Sequence, residues 1–181
     1  MPKHKWDRGL DFRDTLNKLL AFKKWIRGAP KLTKQKRLAL RNINILLLAL
    51  LNGLRISEAI ECYHMWLESQ EDIITVRVAK SKRDRYRLCI TKGLDGVDYK
   101  LTRNLEKPEP NTLQAWTIKR FGFNTHSLRY AYINHMLQQG YDPATVSLIV
   151  GHSKLNTLLE YIQEKRAREA LIREVEKALR S

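Results

Sequence analysis

Along residues 11–27, DFRDTLNKLLAFKKWIR, the apolar positions Phe12, Leu16, Leu19, Leu20 and Ile26 recur at helical spacing, and the run stops at Gly28-Ala29-Pro30. Thr33 opens a second predicted helix. It continues through the apolar stretch INILLLALL at 43–51 and ends at Asn52-Gly53, a pair suited to a helix stop. Ser57 is placed to N-cap a short third helix over EAIECYHM. The period then changes from helical to two. Ile74, Val76 and Val78 alternate with Thr75 and Arg77, and Tyr86, Leu88 and Ile90 alternate with Arg87 and Cys89. This predicts a β-hairpin whose turn, KSKRD at 80–84, is strongly basic. Residues 91–111 carry Gly93, Gly96, Pro108 and Pro110 as punctuation and read as loop with one short helix.

Helical periodicity resumes at Asn111 or Thr112 over LQAWTIKRF. Thr125 is expected to cap a helix through Gln139 that stops at Gly140. Asp142-Pro143 supplies an N-cap followed by proline at the first helical position, and that helix ends at Gly151. Thr157-x-x-Glu160 is a capping box, which places Tyr161 in the first turns of the next helix. The tail 163–180 alternates charges and sets Ala167, Ala170, Leu171, Val175 and Leu179 at helical spacing. No internal repeat or low-complexity tract is visible. The predicted class is mainly α with a small antiparallel β-sheet (α+β), as a single domain over 1–181 with an N-terminal helical segment at 1–30.

Composition changes this picture in one respect. The 181 residues suffice for one domain with its own core, and 43% hydrophobic with 29% charged content is that of a globular chain. The charge is not ordinary: 34 Lys+Arg against 19 Asp+Glu give +15 and a pI near 10.0. Such an excess calls for a polyanion, either nucleic acid or an anionic membrane surface. The run at 43–51 is too short to span a bilayer, and MPKHKWDRGLDF lacks the apolar core of a signal peptide. Cys62 and Cys89 have no C-x-x-C spacing and are expected to stay reduced. Together these predict a cytoplasmic, DNA-associated protein with no membrane partner. Cys62 and His64 form a C-x-H pair, too few ligands for zinc, so no metal or other cofactor is called for.

Breaking a DNA phosphodiester without a metal needs three kinds of group. Arginines neutralise the charge that grows in the transition state, since the guanidinium fork pairs bidentately with phosphate oxygens. A nucleophile attacks phosphorus, and an acid protonates the departing sugar oxygen. Tyrosine can be that nucleophile if nearby cations or a base offset its ordinary pKa of about 10. The stretch HSLRYAYINHMLQQGYDPATVSLIVGHSKLNTLLEY at 126–161 supplies such groups. His126 and Arg129 are three apart on one predicted helix, His152 follows Gly151 at a helix end, and Tyr161 lies beyond. Upstream, Arg55 precedes a helix start, with Glu58 three residues on to orient a cation or base.

NGLRISEAIECY, the hairpin VRVAKSKRDRYRL and the 126–161 stretch together resemble the tyrosine recombinases, the phage-integrase family, over about residues 32–165. That family orders an Arg in a G-[LM]-R-x-S-E-type motif, a hairpin Lys, H-x-x-R, G-H and a Tyr, and all six elements occur here in that order. The resemblance implies a recombinase catalytic-domain fold and cleavage of double-stranded DNA through a 3′-phosphotyrosyl intermediate, with neither metal nor ATP. Arg55 and Arg129 would clamp the scissile phosphate, His126 and His152 would assist with hydrogen bonds and proton transfer, and Tyr161 would attack. Lys80 would be the general acid, with Lys82 as the alternative; Arg83 and Arg85 fall on the later basic, DNA-contacting positions, and Glu58 has a supporting role. The interval from Arg55 to His126 is short for the family, and the 54 residues before Arg55 are too few for its usual N-terminal core-binding domain. Residues 163–181 would form a helix that docks on a neighbouring protomer in a synaptic assembly. A type IB topoisomerase-like activity and a non-catalytic DNA-binding regulator are the rival readings.

Taken singly, each residue has a plainer explanation. Lys80 could be one charge in a solvated turn, Glu58 a complement to a helix dipole, and Tyr161 part of a core. Tyr130, Tyr132 and Tyr141 read as packing residues, and His135, off the 126/129 face, as structural. The order and spacing of the set favour chemistry.

Overall fold

In the computed structural model, which describes residues 9–79, 85–151 and 170–180, everything is organised around one helix. Helix α1 spans Phe12–Arg27, α2 spans Lys34–Asn52 and α3 spans Ile56–Ser69. Strands β1 (Ile73–Arg77) and β2 (Tyr86–Ile90) follow, then α4 (Gly96–Thr102), α5 (Pro110–Phe121), α6 (Thr125–Gln138) and α7 (Pro143–Val150). Residues 170–180 are also helical. The second half of α2 is apolar on every side, so it can be stable only when surrounded. It is: Leu40 through Leu50 are all buried, and α1, α3, α4, α6 and β2 pack against this helix.

Local chemistry sets most of the ends. Asp11, Thr33 and Asp142 cap α1, α2 and α7 by accepting the backbone N–H three residues on, the last two as the sequence predicts. Besides α5, which begins at Pro110 with Glu109 at its N-cap rather than at Asn111 or Thr112, two starts differ from expectation. The third helix begins at Ile56 with Arg55 at its N-cap, so Ser57 lies inside it, and Asn124 rather than Thr125 caps α6. In the first case Glu58 reaches back to the Arg55 N–H, so Ser57 is not needed there. The helix over 56–69 is also longer than the eight-residue EAIECYHM, because its buried face continues to Trp66.

The hairpin is antiparallel, pairing Ile73 with Ile90, Thr75 with Leu88 and Arg77 with Tyr86 on one face, and Ile74 with Cys89 and Val76 with Arg87 on the other. Ile74 and Val76 are buried on the side of β1 that meets α3. Register therefore forces Arg87 and Cys89 inward and leaves Tyr86, Leu88 and Ile90, the apolar set of β2, facing out. Cys89 then lands on Cys62 of α3, and the two form a disulfide. This overturns the expectation of reduced thiols, along with the argument that used them to infer a compartment. Sequence spacing could not show that the hairpin folds back onto α3.

Candidate active site

The chain turns from α2 into α3 through a tight corner. Gly53 ends α2 at φ +60, and a Cβ there would lie 2.5 Å from the Tyr132 ring and 3.0 Å from Val150. Only glycine allows both the left-handed backbone and this approach of α6 and α7 to the corner. Two residues later Arg55, in extended conformation, starts α3 with its side chain partly exposed. Glu58, one turn on, is 2% exposed.

Glu58 gathers the site. Its Oε2 accepts from the Arg55 backbone N–H at 3.0 Å, and its Oε1 accepts from Arg55 Nη1 at 2.9 Å. The same Oε1 accepts from the Ala79 N–H at 2.9 Å, tying the β1 arm of the hairpin to the corner one residue before Lys80. Oε2 lies 3.6 Å from Arg87 Nη1 and 3.9 Å from Arg129 Nη1. Arg129 comes from α6, is 1% exposed, and donates from Nη1 to the Gly53 carbonyl at 2.8 Å. Among the described residues, its Nη2 is buried without a hydrogen-bond partner.

Three guanidinium groups thus surround one carboxylate, which can balance only one of them. Burial first, and repulsion from Arg55 second, bring the Arg129 guanidinium down to about 9. Burial likewise lowers Arg87, with Glu58 opposing it. A buried cation with an unused N–H edge is costly by itself and well suited to a tetrahedral oxyanion, which replaces lost water and supplies the missing charge.

Arg129, far along the chain from the neighbouring Arg55 and Glu58, therefore meets them at this corner. His126 lies in the first turn of the helix that carries Arg129; it is exposed and set edge-on to the Tyr130 ring at 5.0 Å between centroids. Arg85 is exposed, and its carbonyl accepts from the Val78 N–H at 2.8 Å to close the hairpin arms. Gly151 ends α7 at φ +65 with its Cβ position 3.3 Å from the Val78 methyls, so the end of α7 meets the base of the hairpin. Lys80, Lys82, Arg83, His152 and Tyr161 lie outside the described residues. His135 stacks on Phe12, centroids 4.1 Å apart and 5° from parallel, a packing role. Cys62 is taken up by its disulfide, so the C-x-H pair has lost its thiol.

Arg87 is the member that the sequence reading missed. Alternation alone marked it as the polar side of β2, hence outward. The signal that could have found it is Cys89, which shares its face, together with the inward Ile74 and Val76 opposite.

A mainly helical domain with this two-stranded sheet is the fold of tyrosine recombinase catalytic domains. Its fold is similar to the crystal structure of the XerH site-specific recombinase bound to difH substrate in a pre-cleavage complex. That likeness has a TM-score of 0.57 at 21% identity, over 90% of this chain and 53% of the other. No family model matches the chain. It is 30% identical over 171 residues to "Putative integrase ORF241" of Acidianus two-tailed virus, covering 93% of this chain and 68% of that protein. It is also 30% identical over 150 residues to tyrosine recombinase XerC of Rickettsia typhi, covering 71% of this chain and 48% of that protein. The chain spans about half the length of XerC and of XerH. It belongs to the tyrosine recombinase, or integrase, family.

Proposed function

We propose that this chain is a site-specific recombinase that cuts and rejoins double-stranded DNA, with the scissile phosphate seated against Arg129 and Arg55. The Tyr161 hydroxyl attacks phosphorus, a new P–O bond to tyrosine forms as the bond to the 5′ oxygen breaks, and the 3′ end stays on the protein. The tyrosine proton passes to the histidine pair, His126 and His152, and Lys80 protonates the departing 5′ oxygen. A second 5′-hydroxyl then reverses the step, so the phosphoester energy is retained and ATP is not required. Positioning and charge stabilisation by the arginines supply the catalysis.

One observation carries the reading: the buried, unpartnered Nη2 of Arg129 inside a cluster that holds more positive charge than its carboxylate can balance. Helix 170–180 exposes Leu171, Ile172, Val175 and Leu179, which supports self-association on DNA through the C-terminal segment. The test is a suicide substrate, whose cleaved 5′ fragment escapes and traps the covalent state. Wild type should give a denaturant-resistant protein–DNA adduct, in excess chelator as well, and Tyr161→Phe should give none while binding DNA with nearly unchanged affinity. Binding without any adduct would instead favour a non-catalytic regulator, and relaxation of supercoils without exchange between two sites would favour the topoisomerase reading.

A further inference from the structure

Arg87 is buried on the inner face of β2, where a hairpin strand would ordinarily place an apolar side chain. Nη1 donates to the Val150 carbonyl at 2.9 Å and to the Gly53 carbonyl at 3.3 Å, and Nη2 donates to the Asn52 carbonyl. These acceptors are the last carbonyls of two helices, α2 and α7, where helical bonding leaves acceptors unsatisfied and the helix dipoles are negative. One guanidinium therefore closes both helix ends from a third element. Each end leads directly into a motif of the site: Gly53 into Arg55, and Val150 into Gly151 and His152. The Gly53 carbonyl is also the acceptor for Arg129 Nη1, so Arg87 and Arg129 are held to a common point. Arg87 Nε makes no hydrogen bond, so the forked Nη pair does this work.

We propose that Arg87 is a positioning residue for strand cleavage. It locks the hairpin to the ends of α2 and α7 and so fixes Arg129 and the C-terminal end of α7 in one frame. The inference rests on the function proposed above and assigns a role to a residue outside that reaction's groups. A lysine in its place would present its three donors from one nitrogen, without the planar fork that spans the two helix ends.

The experiment compares wild type, Arg87→Lys and Arg87→Met in two measurements. Amide hydrogen exchange of the free protein reads the Leu54 and Gly151 N–H groups, which bond to Ala49 and Leu148 at the two helix ends. Single-turnover cleavage of a suicide substrate, at saturating DNA, reads the reaction apart from binding. Both amides should exchange faster in the variants. Cleavage should slow by about 10²-fold in Arg87→Met, the scale of a small misplacement of reacting groups, with DNA affinity within about threefold. Arg87→Lys should fall between the two, and it keeps the test valid if Arg87→Met does not fold. Unchanged exchange at both amides, or cleavage by Arg87→Lys at the wild-type rate with exchange unaltered, overturns the proposal. If wild type forms no adduct, the functional reading fails and its cleavage claim with it, whereas exchange alone still decides whether Arg87 locks the two helix ends.

Discussion

Two charge clusters, each with a buried carboxylate, flank α2, and they are built on opposite principles. On the side of α1 and α4, Lys23 Nζ meets Asp98 Oδ2 at 2.6 Å and the Gly93 carbonyl at 3.1 Å, and Arg27 pairs with Asp95 at 2.8 Å. Each cation there has its own carboxylate. On the side of α3, α6 and the hairpin, three arginines share Glu58. Both clusters contain a buried atom without a hydrogen bond, Asp98 Oδ1 in the first and Arg129 Nη2 in the second, so an unmade bond does not by itself mark a functional site. The difference is in the balance. Asp98 Oδ1 still faces Arg27 at 3.9 Å within a neutral set, whereas Arg129 has an excess of like charge around it. A matched cluster fastens the fold, and a mismatched one leaves a charge that an anion would balance, as the proposed function requires.

The largest test of that contrast is Arg129→Ala. Loss of a transition-state donor should slow covalent cleavage by about 10²-fold or more, with DNA affinity little changed because many other cations reach the backbone. Arg129→Ala also opens a cavity, so stability is read on Arg129→Met, which fills the space and should hold or raise it by removing an uncompensated buried charge. Lys23→Met should do the reverse. It strands the Asp98 carboxylate and should cost about 3–5 kcal/mol by denaturant titration, while cleavage per folded molecule stays near wild type. A Lys23 variant that lost cleavage in proportion to Arg129→Ala would erase the distinction.

The disulfide gives the next effect in size. Cys62 and Cys89 close a loop of 27 residues that contains the hairpin. Replacing both with serine should lower stability by about 3–4 kcal/mol, measured against the oxidised wild type. The smallest effect concerns anions. Folding lowers the proton affinity of Arg129, so its penalty on stability is present below about pH 9 and is relieved as pH rises past it. A bound anion relieves it at neutral pH. Inorganic phosphate at about ten times its Kd should therefore stabilise wild type by roughly 1.4 kcal/mol, a rise in Tm of about 3–6 °C. Arg129→Met should lose that response, and an equal response in both proteins would remove the anion seat from Arg129.

How much of this was legible in the sequence depends on the range of the interaction that decides it. The caps at Thr33 and Asp142 and the stops at Gly53 and Gly151 are local, because a side chain meets backbone three residues away or a glycine takes a left-handed turn. The Arg55–Glu58 pairing is equally local and was readable from its spacing. The inward face of β2 is not local. It follows from register against β1 and from the packing of β1 on α3, so Tyr86, Leu88 and Ile90 look like core residues in sequence and stand outside in the fold. The same non-local step hid the bond between Cys62 and Cys89 and the position of Arg87. Arg129 was named from its motif, but its burial and its crowding by two other arginines needed the fold.

The central claim is that the excess charge at this corner compensates the charge of the scissile phosphate, and a substrate can test it more directly than any further variant. Methylphosphonate at the scissile position removes one anionic oxygen while keeping the phosphorus centre. Single-turnover cleavage should be measured for wild type and Arg129→Ala on both the phosphate and the methylphosphonate suicide substrates. On phosphate the variant should be about 10²-fold slower. On methylphosphonate the gap should shrink to within a few fold, because the charge that Arg129 serves has been removed. A deficit of the same size on both substrates would contradict the account and reduce Arg129 to a residue that shapes the fold.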